Sequence, residues 1–354
     1  MTAARAARRV GVAAAIVLLA TTAGTAACHG HPVGTPTPAP SPPAAPGGID
    51  APDDVSGAPS AALPRATAIP DTSPATACDP SKPHAAGDET ATLRSGDLDR
   101  SYIIHVPKNY DGARGMPLVL NFHGFGSGAR QQALYSRLPA KGDLEGFITV
   151  SPEGSDALRR WNYPGVGGVD DVAFVRDLLD RLETDLCVDA RRVFAAGISN
   201  GSAFAQIVAC AMPDRIAAVA AVAALVFPAR LCDGVPPVPV IAFHGTDDPC
   251  VPFAGGTTQC GLRLPVAAVE DSARNWAQRD ACGLAPADAQ VSTHVRAISY
   301  SECAAHAAVV LLVVDGGGHT WLGSVDVPRL GATTHEIDAT DEIWQFFAAH
   351  ARRP

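Results

Sequence analysis

The chain has 354 residues, 47% of them hydrophobic and 6% aromatic, with a formal net charge of −9. That is apolar chain enough for one large globular domain, and the acidic balance, with no basic stripe, argues against a nucleic-acid partner. Nine cysteines without a Cys-x-x-Cys pair argue against a zinc site and for disulfides made in an oxidising compartment.

Residues 1–27 read as a secretory signal. Arg5, Arg8 and Arg9 precede the apolar run Val10–Ala20, and small residues follow to Ala27. The run is shorter than the roughly 20 residues that a membrane span needs. Cys28 follows Thr25-Ala26-Ala27, which resembles a bacterial lipoprotein cleavage box with threonine in place of the usual leucine. A lipid on Cys28 would attach the protein to a membrane. Residues 28–84 are rich in Pro, Ala, Ser and Thr and cannot bury a core. They read as a tether that holds a domain off a membrane or wall, or as a leader without that role. Residues 85–354 are expected to form the folded domain.

Within it, Thr90–Val106 predicts two strands around the turn Ser95-Gly96-Asp97. Met116–His123 is a continuous apolar run of the kind found in buried parallel strands. A looser helical stretch reaches Leu138, and Phe147–Val150 predicts the next strand. Asp171–Leu186 predicts an amphipathic helix: Val172, Val175, Leu179, Leu182 and Leu186 share one face, and Asp170 or Asp171 caps its start. Val193–Ala196, Ala217–Leu225, Val238–Phe243 and Ala307–Val314 are further apolar runs, and Val266–Asp280 and Asp338–His350 predict helices. Strands alternating with helices predict an α/β fold, with one mostly parallel central sheet and helices on both faces.

Three strand ends carry chemistry. Val193–Ala196 runs into Gly197-Ile198-Ser199-Asn200-Gly201, followed by the helix-forming stretch Ser202–Cys210. Gly-x-Ser-x-Gly between a strand and a helix is the setting of a nucleophilic serine on a tight turn. The second strand end, after Phe243, carries Asp247 and Asp248, of which at least one is a turn former ahead of Pro249. The third, after Val314, carries Gly316-Gly317-Gly318-His319. Serine, aspartate and histidine in that order is the order of α/β-hydrolases, with His319 as base and then acid. After Phe122 comes His123-Gly124-Phe125-Gly126. In that fold the loop here supplies one oxyanion N–H and the residue after the nucleophile supplies the other, hence Phe125 (or Gly124) and Asn200. His123 reads as structural.

Together Leu118–Gly126, Trp161–Val175, Val193–Gly201, His244–Phe253 and Gly316–Gly323 resemble the secreted polyhydroxybutyrate depolymerase and feruloyl esterase group of α/β-hydrolases, including its actinobacterial lipoproteins. The shared patterns are Gly-x-Ser-Asn-Gly, His-Gly-Thr-x-Asp-Pro-x-Val-Pro and Gly-Gly-Gly-His-Thr-Trp. Laying the second on His244–Pro252 puts the catalytic aspartate on Asp248. Leu322 stands where the group often has proline, and Cys250 and Cys260 are departures from it. Cys250–Cys260 and Cys282–Cys303 are expected disulfides, which leaves the partners of Cys78, Cys187, Cys210 and Cys232 open.

The resulting expectation is a secreted or surface-tethered serine esterase. Ser199, Asp248 and His319 are catalytic, and Phe125 and Asn200 supply the oxyanion N–H groups. Trp321 lines the substrate pocket; Trp161 lines it too or belongs to the core. The substrate is a small or polymeric carboxylic ester, and the resemblance implies hydroxyalkanoate or feruloyl esters. No metal or organic cofactor is called for. An acyltransferase using the same acyl-enzyme, or a non-catalytic binding protein on the same fold, are the alternatives.

Overall fold

The computed structural model describes residues 76–155, 157–164, 168–283 and 285–352. The signal, Cys28 and most of the tether lie outside the described residues. Residues 76–84, read as the tether's end, are anchored to the domain: Ala77 bridges Arg114, Lys82 N–H bonds the Gly112 carbonyl, and Cys78 is joined to Cys187.

Among the described residues there are twelve strands. They are β1 (Gly87–Ser95), β2 (Leu98–Val106), β3 (Met116–Phe122), β4 (Ile148–Pro152), β5 (Val188–Ile198), β6 (Ala218–Val222), β7 (Val240–Gly245), β8 (Gly256–Thr257), β9 (Pro265–Val266), β10 (Ala287–Gln290), β11 (Val295–Tyr300) and β12 (Val309–Val314). The helices are α1 (Ala129–Ser136), α2 (Leu138–Glu145), α3 (Asp171–Asp185), α4 (Asn200–Ala211), α5 (Ala229–Cys232), α6 (Val269–Arg279) and α7 (Ala339–Ala349).

Ten strands form one sheet in the order β1-β2-β4-β3-β5-β6-β7-β12-β11-β10. The central run from β4 to β12 is parallel, and the outer hairpins pair antiparallel. Parallel strands covered on both faces need apolar side chains on both. Leu118, Leu120 and Phe122 of β3 pack in one core with α3, α4 and α6, while Val119 points to the other core with α7. In β12, Leu311 and Val313 go one way and Leu312 and Val314 the other. This is the two-residue period of a strand, used twice.

The α3 helix starts as its sequence suggests. Asp170 is the cap, accepting from Ala173 N–H at 2.9 Å, and Asp171 is the first helical residue. Two elements differ from expectation. The helical stretch expected to reach Leu138 ends at Ser136, and a second helix starts at Leu138, divided from the first where Arg137 takes a left-handed φ of 55° ahead of Pro139. β5 begins at Val188, five residues earlier than its apolar run suggests. Its pairing with β3 shifts register between Val188 and Val193. Across that irregularity buried Asp189 accepts from Arg191 N–H and Arg192 Nε, so charged residues interrupt the apolar pattern there.

Four disulfides tie the domain: Cys78–Cys187, Cys210–Cys232, Cys250–Cys260 and Cys282–Cys303. The two expected pairings are present.

At the end of α6, buried Asp280 accepts from Arg279 and, at 3.4 Å, from Val238 N–H just before β7, while its Oδ2 has no partner among the described residues. Burial outweighs the Arg279 charge and pushes this carboxyl up to about 6. The folded state therefore holds its proton more tightly than the unfolded chain does. That contribution is full below the ordinary carboxylate range and is lost as pH rises through about 6. Asp280→Asn is expected to flatten the fall in stability between about pH 4 and 6. Urea unfolding midpoints at successive pH values check this, and an unchanged slope would contradict it.

Candidate active site

The central parallel strands end on one edge, and their ends are laced together there. Ser199 N–H bonds the Val222 carbonyl after β5, Ala223 N–H bonds Phe243 after β6, and Thr246 N–H bonds Val314 after β7, each at 2.9 Å. This row of bonds brings the loops after β5, β7 and β12 side by side.

Ser199 links β5 to α4 with φ 58° and ψ −123°. For a residue with a side chain this conformation costs about 1–3 kcal/mol. The flanking glycines are needed for space. A Cβ on Gly197 would lie 2.4 Å from the Gly201 carbonyl oxygen, and one on Gly201 would lie 2.4 Å from those of Phe122 and His123. The turn is closed backbone against backbone, which aims the first-turn N–H groups of α4 at the site. Among the described residues the Ser199 hydroxyl makes no hydrogen bond, and catalytic hydrogen bonds often tighten only when substrate is bound.

The acid and base loops meet just as closely. A Cβ on Gly245 would lie 2.0 Å from the Gly317 carbonyl oxygen. Asp248 is buried, and its Oδ2 accepts from His319 Nδ1 at 2.8 Å. Its Oδ1 accepts from the Cys250 and Val251 N–H groups at 2.7 and 2.8 Å. Asp247 is exposed and donates its N–H to the Gly317 carbonyl, so it is the turn former. A carboxylate on Nδ1 fixes the tautomer that leaves Nε2 of His319 as the acceptor. Burial alone would raise the Asp248 pKa, but the His319 hydrogen bond and charge, His244 and the Val251 N–H together hold it below the ordinary range.

His244 contributes from beneath. Its Nε2 donates to the Val251 carbonyl at 2.9 Å and lies 3.4 Å from Asp248 Oδ2. Burial lowers its pKa, which keeps the ring neutral beside the carboxylate. Asp248, Cys250 and His319 also lie close enough to suggest a metal-binding group. The Cys250 sulfur, however, is in a disulfide, and the other two residues bond each other.

The loop after β3 sits against Ser199, since a Cβ on Gly124 would lie 3.4 Å from Ser199 Cβ. His123 is buried in it, with Nδ1 on the Gly124 carbonyl and Nε2 accepting from Gly154 N–H. That pattern belongs to a neutral structural histidine, and burial lowers its pKa accordingly. Of the two expected oxyanion residues, Asn200 follows Ser199 and opens α4, and Phe125 is the residue after Gly124, which lies against Ser199.

The Asn200 side chain has a further task. Its Oδ1 accepts from Trp161 N–H at 2.7 Å, and its Nδ2 donates to the Trp161 carbonyl and to Tyr163 Oη, the latter at 2.7 Å. It thereby clamps residues 161–163 onto the elbow. Burial of the Tyr163 hydroxyl pushes its pKa up to about 12. The same segment is gripped from α3. The Asp171 carboxylate accepts from Asn162 N–H, Asn162 Nδ2, Ser155 Oγ and Arg100. Arg100 in turn stacks on Phe174, 3.9 Å from the ring centroid.

Trp321, expected at the substrate pocket, and Trp161, expected there or in the core, are both buried. Trp161 is 2% exposed, stacks on Phe204 and donates its indole N–H to the His123 carbonyl. Trp321 is 0% exposed and donates to Thr340 Oγ1. Both rings hold loops of the site in place from the core side. Sequence reasoning missed Tyr163, Asp171, Arg100 and His244. The Trp161–Val175 and His244–Phe253 segments contained three of them, but no spacing rule says which polar residues there point inward.

Comparison with known proteins follows the same outline. Residues 100–253 match the family described as Esterase PHB depolymerase. Feruloyl esterase B of Piromyces equi is 27% identical over 229 residues, 62% of this chain but only 42% of that protein. The chain thus spans less than half of that relative. The protein NocK of Nocardia uniformis subsp. tsuyamanensis, described as an esterase, is 30% identical over 73% of this chain and 83% of its own length. Among solved structures, an acetyl xylan esterase from Aspergillus awamori covers 75% of this chain and all of its own, with a TM-score of 0.54 at 14% identity. At that identity the likeness shows the α/β-hydrolase fold alone.

Removing one partner of a buried ion pair leaves the other uncompensated, a loss of about 3–5 kcal/mol. Asp171→Ala is expected to destabilise the domain on that scale, read by urea unfolding at neutral pH. A loss under about 1 kcal/mol would mean that Arg100 is solvated and that the 155–162 segment is held otherwise.

Proposed function

This chain belongs to the PHB depolymerase and feruloyl esterase group of α/β-hydrolases, and on that premise we propose that it is a serine esterase working through an acyl-enzyme. The observation that carries the reading is the buried Asp248–His319 hydrogen bond on the strand edge where the strained Ser199 turn lies.

Ser199 Oγ attacks the ester carbonyl carbon, and its proton passes to His319 Nε2. The imidazolium keeps its Nδ1–H on Asp248, whose ionised form the neighbouring donors favour. The Phe125 and Asn200 N–H groups take the developing oxyanion, and each such donor is worth roughly 10²–10³ in rate. As the tetrahedral intermediate collapses, His319 returns the proton to the leaving alcohol. Water then adds to the acyl-enzyme with His319 as base, releasing the acid and restoring Ser199. The substrate class is a short hydroxyalkanoate or hydroxycinnamate ester, by resemblance to the group.

The reading extends to location. The four disulfides use eight of the nine cysteines, which suits an oxidising compartment outside the cytosol. The ninth is Cys28, the proposed lipid site behind the proposed signal over 1–27. In this scheme residues 28–75 serve as a tether, and residues 76–354, whose first segment is held by Cys78–Cys187, as the catalytic domain.

The full chain is expected to hydrolyse p-nitrophenyl acetate and butyrate. Ser199→Ala should lower kcat by roughly 10⁵–10⁶ with the fold intact. Asp248→Asn should lower it by roughly 10⁴, because the imidazole then takes the wrong tautomer. A fluorophosphonate probe should label the parent and spare Ser199→Ala. Hydrolysis by a folded Ser199→Ala protein at the parent rate would sink the assignment.

A further inference from the structure

The disulfide-closed loop beyond Asp248 does more than brace the acid. Cys250 is buried and its N–H holds Asp248 Oδ1. The chain then leaves the core, forms the β8–β9 hairpin, and presents an exposed tip that includes Cys260 and Gly261. The tip is braced internally. Gln259 N–H bonds the Cys250 carbonyl, Thr258 N–H bonds the Leu264 carbonyl, and Leu264 N–H bonds Thr258 Oγ1. Gly261 sits at φ 75°, and a Cβ there would lie 3.0 Å from the ring carbons of Phe125. The Phe125 ring therefore lies flat against the tip, while the preceding residue, Gly124, touches Ser199. Beside Gly261 are Leu262 and Leu264, each 39% exposed. Exposed leucines thus stand on the segment whose Gly261 meets the Phe125 ring, and the disulfide joins the start of that segment to buried Cys250.

We propose that the Cys250–Cys260 loop tip is the specificity wall of the site, with Phe125, Leu262 and Leu264 receiving the non-polar half of the ester. The proposal rests on the esterase reading above. Gly261 takes a positive φ, and a Cβ there would press on the Phe125 ring, so a side chain at this position would disturb the wall. The disulfide acts as a positioning element. It fixes the wall at one end and the acid at the other, so wall and acid cannot move independently.

The test uses the full chain, the Leu262→Ser/Leu264→Ser variant and the Cys250→Ala/Cys260→Ala variant. Two series are read as ratios of kcat/KM: p-nitrophenyl octanoate over acetate, which varies the acyl group, and 1-naphthyl over ethyl acetate, which varies the alcohol. The leucine variant is expected to lower one ratio about tenfold, chiefly through KM, as exposed apolar contact is lost. The series that responds tells which half of the ester the wall receives. The cysteine variant should lower the same ratio. A general loss of fold would depress numerator and denominator alike, so it would not move the ratios. Both ratios unchanged in a leucine variant with parent-like thermal unfolding would overturn the proposal. A parent chain that hydrolyses none of these esters fails on the esterase reading itself and takes this inference with it.

Discussion

The site depends on backbone meeting backbone where no side chain fits. Gly197 lies against Gly201, Gly201 against Phe122 and His123, and Gly245 against Gly317. The first closes the Ser199 turn on itself and the other two join loops from different strands, and a single methyl group on Gly197, Gly201 or Gly245 would collide with a carbonyl. These approaches force Ser199 into its left-handed conformation and set the acid loop against the base loop. The strain at one residue persists because the strands on both sides are locked into a ten-stranded sheet.

Electrostatics at the edge follows from that packing. Burying the Asp248 carboxylate would favour its neutral form, yet two backbone N–H groups and two imidazoles surround it. The donors outweigh the desolvation, and the ionised form prevails. Asp280, buried at the other end of β7, has one partly exposed arginine, a Val238 N–H at 3.4 Å and an oxygen without a partner among the described residues, and there burial wins. The two aspartates show that burial sets the problem and the number of donors decides the outcome.

The surroundings of Ser199 are held from the sides. The Asn200 side chain and the Asp171 carboxylate grip residues 161–163 from the elbow and from α3. On the opposite side the disulfide-closed loop supports Phe125. Trp321, expected at the substrate, and Trp161, expected there or in the core, are both buried with their indole N–H groups satisfied. A large ring two residues from a site residue faces wherever its loop turns, and spacing alone does not fix that direction.

The sequence by itself determined the α/β fold class, the strand ends that carry Ser199, Asp248 and His319, and the glycines beside them. Those features are local: continuous apolar runs make buried strands, and glycine marks close approach. Matching the His244–Pro252 pattern also chose Asp248 over Asp247, where composition left both open. Only the tertiary structure decided what Asp171, Arg100, Tyr163 and His244 do, which way Trp161 and Trp321 face, and that Gly261 seats Phe125. Most of these depend on contacts between segments tens to more than a hundred residues apart, while His244 depends on how its own loop folds back. Such contacts exist only after the sheet has brought the loops together, and they leave no periodic trace along the chain.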